Sequence, residues 1–222
     1  MRRSKLSIEN RRFKLVMFDM DDTLLKGRTI FVFAEKFGFT DKLFSIINSD
    51  QQSYEKSIEI AQLLKDKNKN DLLELFRTIP LRDHVETVIS ELKNKDLTTA
   101  IATNSYQFVA DDLKERLGFD YAFANNLIMN QNIVTGEIQL HNVARERCNN
   151  GKIYSICKGR VLERLCETLS ITPEETIAIG DSMVDVGMIS KAGLGIAFNA
   201  SEEVQKYADI SMDDFRILLN YI

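Results

Sequence analysis

Cysteine is scarce in this chain. Its 222 residues include three, Cys148, Cys157 and Cys166, an odd and widely spaced set that offers neither a disulfide framework nor a C-x-x-C zinc pattern and reads as reduced, structural thiols. Proline is scarcer still, with Pro80 and Pro173 alone, and the ten glycines are scattered with no Ser/Gly-rich linker among them. Nothing divides the chain into serial domains, so any second domain has to be an insertion on short hinges. No apolar run approaches the roughly 18 residues of a membrane-spanning helix, and the opening stretch MRRSKLSIENRRFK has no apolar core of signal-peptide length. The expectation is a cytoplasmic protein without membrane contact. There is also no excess of positive charge: 29 Lys and Arg against 33 Asp and Glu leave a net charge of −4, which excludes broad coating of nucleic acid. The basic arm of Arg2, Arg3, Lys5, Arg11, Arg12 and Lys14 reads as a solvated tail.

What is present is an ordinary globular composition, 44% hydrophobic and 28% charged, with short runs rich in branched residues at 14–18, 98–102, 121–124, 176–179, 194–198 and 208–211. Segments of helical period separate most of them, such as Val85, Val88, Ile89 and Leu92. Buried strands alternating with amphipathic helices give an α/β fold with a parallel sheet covered on both faces. Two stretches break the rhythm. Residues 28–77 hold only helical material and read as a small helical insertion after the first strand. Residues 127–140, LIMNQNIVTGEIQL, alternate and read as a β-hairpin.

Three of the expected strands end in polar clusters. Asp19-Met20-Asp21-Asp22-Thr23 follows the first, Thr103-Asn104-Ser105 the second, and Gly180-Asp181-Ser182-Met183-Val184-Asp185 the fourth. In such sheets ligands bind beyond the carboxyl ends of the strands, where strand order reverses. Several carboxylates gathered there repel one another unless a cation joins them, and oxygen ligands without His or Cys point to Mg²⁺. Lys158, at the head of a helical segment, adds a fixed positive charge, and Thr103 with the neighbouring backbone amides makes an anion cradle. The set spells a phosphoryl site. In D-x-D-x-T the carboxylates of Asp19 and Asp21 can face one cavity, one serving as nucleophile and the other as acid/base, while alternation turns Asp22 away toward a surface or capping role. His84 and His141 lie outside these clusters and read as structural. Phe31, Phe33, Phe37, Phe39 and Phe44 read as the core of the insertion.

These residues resemble the four motifs of the haloacid dehalogenase superfamily, in the right order: Phe18 to Leu24, Thr103, Lys158, and Gly180-Asp181 through Asp185. The stretches 113–128, 135–138 and 191–198 look like its phosphoserine phosphatase branch. The resemblance implies a Rossmann-like core, 11–27 with 78–222, and a helical cap, 28–77, that closes over the site. It further implies that Asp19 is phosphorylated and that Asp21 is the general acid/base. Mg²⁺ would be held by Asp19, the main-chain carbonyl of Asp21 and Asp181, with Asp185 supporting the metal or Lys158; Thr103 and Asn104 would bind phosphate.

The departures concern the substrate. Arg28 stands where that branch carries a Glu for the substrate amine, and 57–64 (SIEIAQLL) has no Arg for the substrate carboxylate. Asn104 and Ser105 replace a Gly-Gly pair, and Val184 replaces an Asn. The sequence-level expectation is therefore a Mg²⁺-dependent phosphomonoesterase acting on a small phosphorylated metabolite other than phosphoserine, with Arg28 contacting an anionic group, as a monomer or homodimer. A phosphoserine phosphatase proper and a phosphotransferase using the same intermediate remain open. A phospho-accepting receiver fits less well, because receivers place the acceptor Asp on a later strand than the acid pair. A silent binding protein is disfavoured by the full set of chemical residues.

Overall fold

In a computed structural model of the protein, residues 12–148 and 151–222 are described. Arg2, Arg3, Lys5 and Arg11 of the basic arm lie outside them. The first strand, β1 (Leu15–Phe18), is buried at all four positions, as a strand covered on both sheet faces must be. Its alternation divides the core: Val16 and Phe18 enter one apolar cluster, Leu15 and Met17 the other.

Four helices follow β1, namely α1 (Thr29–Phe37), α2 (Thr40–Ile47), α3 (Ser53–Leu63) and α4 (Lys69–Arg77). Gly38 ends α1 at φ 72°, a left-handed position that favours glycine. Glu55 and Gln52 form a reciprocal cap on α3, and the Asn68 side chain accepts the Asn70 N–H at the start of α4. Phe33 and Phe39 are buried among these helices, whereas Phe44 is exposed and leans on Phe31. The connections into and out of the insertion run side by side, with Leu25 bridged to Leu81 and the Lys26 N–H bonded to the Pro80 carbonyl.

The chain continues through α5 (Val85–Asn94), β2 (Thr98–Tyr106), α6 (Gln107–Leu117), β3 (Tyr121–Asn130), β4 (Ile133–Gln139), α7 (Lys158–Leu169), β5 (Thr176–Gly180), α8 (Val186–Lys191), β6 (Leu194–Phe198), α9 (Glu202–Gln205) and β7 (Ile210–Met212). The seven strands lie in the order β4-β3-β2-β1-β5-β6-β7. All neighbours are parallel except β3 and β4. Two details differ from the sequence reading. The strand expected at 121–124 and the first arm of the hairpin are one strand, β3, which pairs parallel with β2 and then antiparallel with β4. The polar cluster after the second apolar run stays extended, so β2 runs through Thr103 to Tyr106 with a register shift.

Strand order reverses around β1, which has β2 on one side and β5 on the other. The three polar strand ends therefore emerge side by side at the centre of the sheet, where a ligand crevice forms in open α/β folds. Among the described residues, no helix is long and apolar enough to cross a membrane.

Candidate active site

Asp19 leaves β1 with its N–H bonded to the Ile179 carbonyl of β5, 2.9 Å away, so the first and third polar ends are stitched together at Asp19. Its Oδ1 lies 2.5 Å from Nζ of Lys158, and the same ammonium lies 2.5 Å from Oδ1 of Asp185. Lys158 is 1% exposed and Asp185 0%. A lysine survives such burial only when paired, and here the two carboxylates outweigh desolvation and hold its pKa above the ordinary value.

Asp185 is fully engaged. Its Oδ2 accepts the N–H groups of Asp181 and Ser182 and the Ser182 hydroxyl. The sequence reading left it between metal and lysine; its bonds here go to Lys158 and to its own loop. Glycines set its position. A Cβ on Gly180 would meet the Asp185 carboxyl at 2.5 Å, and a Cβ on Gly159 would fall 2.7 Å from the Gly187 carbonyl oxygen, where α7 and α8 touch backbone to backbone.

Asp19, Asp181 and Asp185 each offer an oxygen within 4.8 Å of the others. Three carboxylates against one ammonium leave a surplus of negative charge. Burial first, then the neighbouring carboxylates, push the pKa of Asp19 well up, and the same causes raise that of Asp181. A divalent cation removes that conflict, and an all-oxygen donor set suits Mg²⁺. The residues present fit the ion.

Asp21 sits at the cavity side of the β1 loop. Its Oδ1 accepts the Thr29 hydroxyl at 2.6 Å and the Thr29 N–H at 3.0 Å. Burial pushes its pKa up to about 6 against these bonds, a value suited to acid/base work near neutrality. Asp22, at φ 60°, turns outward as expected and meets Arg28, with Nε 2.6 Å from its Oδ2. Thr103 is wholly buried, and its hydroxyl oxygen accepts the Ser105 N–H. It is Asn104 and Ser105 that face the cavity.

That cavity, of about 220 Å³, is lined by Asp19, Asp21 and Asp181. Ile30, Phe31, Ile47 and Ile60 of the helical insertion and Ile138 of β4 supply apolar lining, and Arg28 and Ser57 are the insertion's polar members. Several of these residues went unnoticed in sequence. Thr29 and Thr23, whose hydroxyl donates to Asp181, carry no chemistry of their own, although Thr23 closes the D-x-D-x-T pattern. Asn125, fully buried, donates to the carbonyl of Asn104 from β3.

The model of the haloacid dehalogenase-like hydrolase family matches residues 13–193. The chain belongs to that family. Among relatives of this hydrolase, the phosphoserine phosphatase of Methanocaldococcus jannaschii is 33% identical over 215 residues, 94% of this chain and 97% of its own. That of Campylobacter jejuni subsp. doylei is 31% identical, over 90% of this chain and 94% of its own. A solved structure described as the phospho-aspartyl intermediate analogue of phosphoserine phosphatase superposes with a TM-score of 0.80 at 30% identity, covering 96% of this chain and 100% of the other. These likenesses make this haloacid dehalogenase-like hydrolase a phosphatase.

Proposed function

We propose that this phosphatase hydrolyses phosphate monoesters of small molecules by two displacements at Asp19. The observation that carries the reading is Asp19 held by buried Lys158 at the closed end of a cavity that also exposes Asp21. In the first step an Asp19 oxygen bonds to phosphorus as the ester P–O bond breaks, and the leaving oxygen takes the proton of Asp21. In the second, Asp21 accepts a proton from water as the water oxygen displaces Asp19 and frees phosphate. Lys158 offsets charge on the transferring group, and the Asn104 amide supplies a donor for its oxygens. Asp19, Asp181 and the main-chain carbonyl of Asp21, with Asp185 in support, would hold Mg²⁺, which supplies Lewis-acid neutralisation of the phosphoryl oxygens. Residues 28–77 act as the cap that excludes water, hinged at the paired connections beside Leu25 and Leu81; 11–27 and 78–222 form the core.

Phosphoserine is the substrate that the relatives' names support. A second reading rests on the lining. The cavity's carboxylates, Asp19, Asp21 and Asp181, all belong to the reacting group, and Arg28 already meets Asp22. The lining from the insertion and β4 thus has no acid for an ammonium group and is mostly apolar, which favours an ester of a less polar alcohol.

Phosphate release from a panel of monoesters with Mg²⁺, including phosphoserine and both alkyl and aryl phosphates, separates the two. A kcat/KM for phosphoserine at least tenfold above the rest supports the first, and the reverse ranking supports the second. Absence of hydrolysis across the panel overturns the enzymatic reading.

A further inference from the structure

Between β4 and α7 the described residues, 140–148 and 151–157, take no part in the chemistry above, yet they touch three parts of the machinery. Asn142 closes this segment on itself, its N–H bonded to the Ser155 carbonyl and its side-chain amide donating to the carbonyls of Glu146 and Tyr154. Ser155 Oγ accepts from Asn125, the side chain that also holds the Asn104 carbonyl. On the insertion side, the Tyr54 N–H at the start of α3 bonds to the Ile153 carbonyl, and the Arg145 guanidinium lies 5.1 Å from the Tyr54 ring centroid. The segment is a strap from insertion to core. Its last residue, Cys157, joins Lys158 through a single peptide bond.

Two of the three cysteines stand on this strap. Cys148 and Cys157 pack together in a small buried cluster with Tyr154, against Val184, and each shifts the ionisation of the other. Cys166 lies apart, in the apolar cluster beneath the sheet. Cys157 also borders a cleft of about 170 Å³ shared with His141, Arg160 and Arg164. A small oxidant can reach its sulfur by that route; the cleft also holds Glu146, which pairs with Arg160 and leaves Arg164 as the second guanidinium beside it.

We propose that Cys148 and Cys157 are a reversible oxidation site, closed to a disulfide by a hydroperoxide, and that closing it lowers turnover at Asp19. In the first step the Cys157 thiolate attacks a peroxide oxygen: an S–O bond forms, the O–O bond breaks, and the departing oxygen leaves as water after protonation, giving a sulfenic acid. The Cys148 sulfur then attacks that of Cys157; the S–S bond forms, the S–O bond breaks and a second water leaves. Two thiols lose two electrons and one peroxide becomes two waters, and a dithiol reductant reverses the change. Cys157 is the attacking partner because its side chain borders the cleft by which the oxidant enters, and the neighbouring Cys148 side chain also holds its thiol below its ordinary pKa.

The link to activity is mechanical. A disulfide sets its sulfurs about 2.05 Å apart, inside the contact distance of two free thiols, so residues 148 and 157 are drawn together and the strain falls on Lys158, one peptide bond from Cys157. Lys158 has no slack, since its ammonium meets Asp19 and Asp185 at 2.5 Å each. The strap's hold on Tyr54 stiffens at the same time. The effect on turnover rests on the phosphatase chemistry proposed above; the formation of the bond does not.

The test uses the reduced full-length protein, titrated with hydrogen peroxide, alkylated and mapped by mass spectrometry without reduction, with hydrolysis of an aryl phosphate in Mg²⁺ followed in parallel. The expected result is a Cys148–Cys157 cross-linked peptide as the main product, at least a fivefold loss of activity, and recovery with dithiothreitol. Cys148→Ser should keep full activity when reduced and show no recoverable loss, while Cys166→Ser should behave as the parent. A cross-link to Cys166 or between chains, oxidation of Cys157 to higher acids without a cross-link, or a cross-link that leaves turnover unchanged overturns the proposal. Should no ester be hydrolysed, the functional reading fails, and the peptide map still decides whether the pair is an oxidation site.

Discussion

Lys158 donates to Asp185 over the same 2.5 Å at which it meets Asp19, so one buried ammonium answers to two carboxylates on different loops. Removing it leaves three neighbouring carboxylates without their shared cation. Lys158→Ala is expected to cut kcat at least about a thousandfold and to destabilise the metal-free fold by about 3–5 kcal/mol at pH 7.5. Urea denaturation with and without Mg²⁺ reads the second effect, and added Mg²⁺ should recover part of the lost stability. A variant as stable as the parent in chelator would contradict the pairing.

Chelation should abolish hydrolysis of an aryl phosphate, with recovery on adding Mg²⁺. Asp181→Asn, which keeps the shape and removes a charge, should raise the Mg²⁺ concentration for half-activity by about tenfold or more. Full activity in excess chelator would remove the metal from this site.

Asp19→Asn should lower activity by several orders of magnitude, because an amide forms no acyl-phosphate. Asp21→Asn should behave differently with a good leaving group: the first displacement proceeds, the second lacks its base, and phosphate accumulates on Asp19. Peptide mapping after rapid acid quench locates it. A phosphate found on any other residue would reassign the nucleophile.

Asp21 also carries a stability signature. Burial raises its folded pKa from 3.8 to about 6, so its charged form is disfavoured by folding. Wild-type stability from this group is fully present below the unfolded pKa and is lost as pH rises through 6, a loss of about 3 kcal/mol at most. In chelator, the advantage of Asp21→Asn over the parent should therefore be about twice as large at pH 8 as at pH 5 and vanish below the unfolded pKa, while the variant lacks turnover. An equal stability difference at both values would refute the burial argument.

Much of the site was legible because chemistry and strand ends coincide. Three apolar runs stop at Asp19, Thr103 and Asp181, and parallel pairing of β2, β1 and β5 brings those stops together. The helical insertion was legible from period alone. The continuity of β3 was not, since its alternation does not record that the partner changes from β2 to β4 halfway along. Nor was the cavity lining. Ile30, Ile47, Ile60 and Ile138 come from three helices and a strand, and each reads as ordinary core until tertiary packing turns it toward the hollow. Arg28 shows the limit of counting positions: its place in the chain was right for a cavity residue, but its ion pair with Asp22 depends on a left-handed turn at Asp22 that spacing does not reveal.

That pair gives a separate test. Both partners are partly exposed, so Asp22→Ala should change stability by less than about 1 kcal/mol. It should free the guanidinium and raise kcat/KM about fivefold for esters with an anionic leaving group, with little change for a neutral aryl phosphate. An unchanged substrate ranking would make Arg28 a bystander.

The contact between Gly159 and Gly187 carries no functional group, yet it stands one residue from Lys158 and two from Asp185. The reach between the two charges is thus fixed by main chain against main chain, with no rotamer able to absorb an error. A single added carbon at Gly159 forces α7 and α8 apart and withdraws the ammonium from its partners, while a larger change on the exposed face of either helix is absorbed. Mutational tolerance in this enzyme is therefore low at Gly159, which performs no chemistry, and a survey of random variants should find inactive, folded proteins there as readily as at the aspartates.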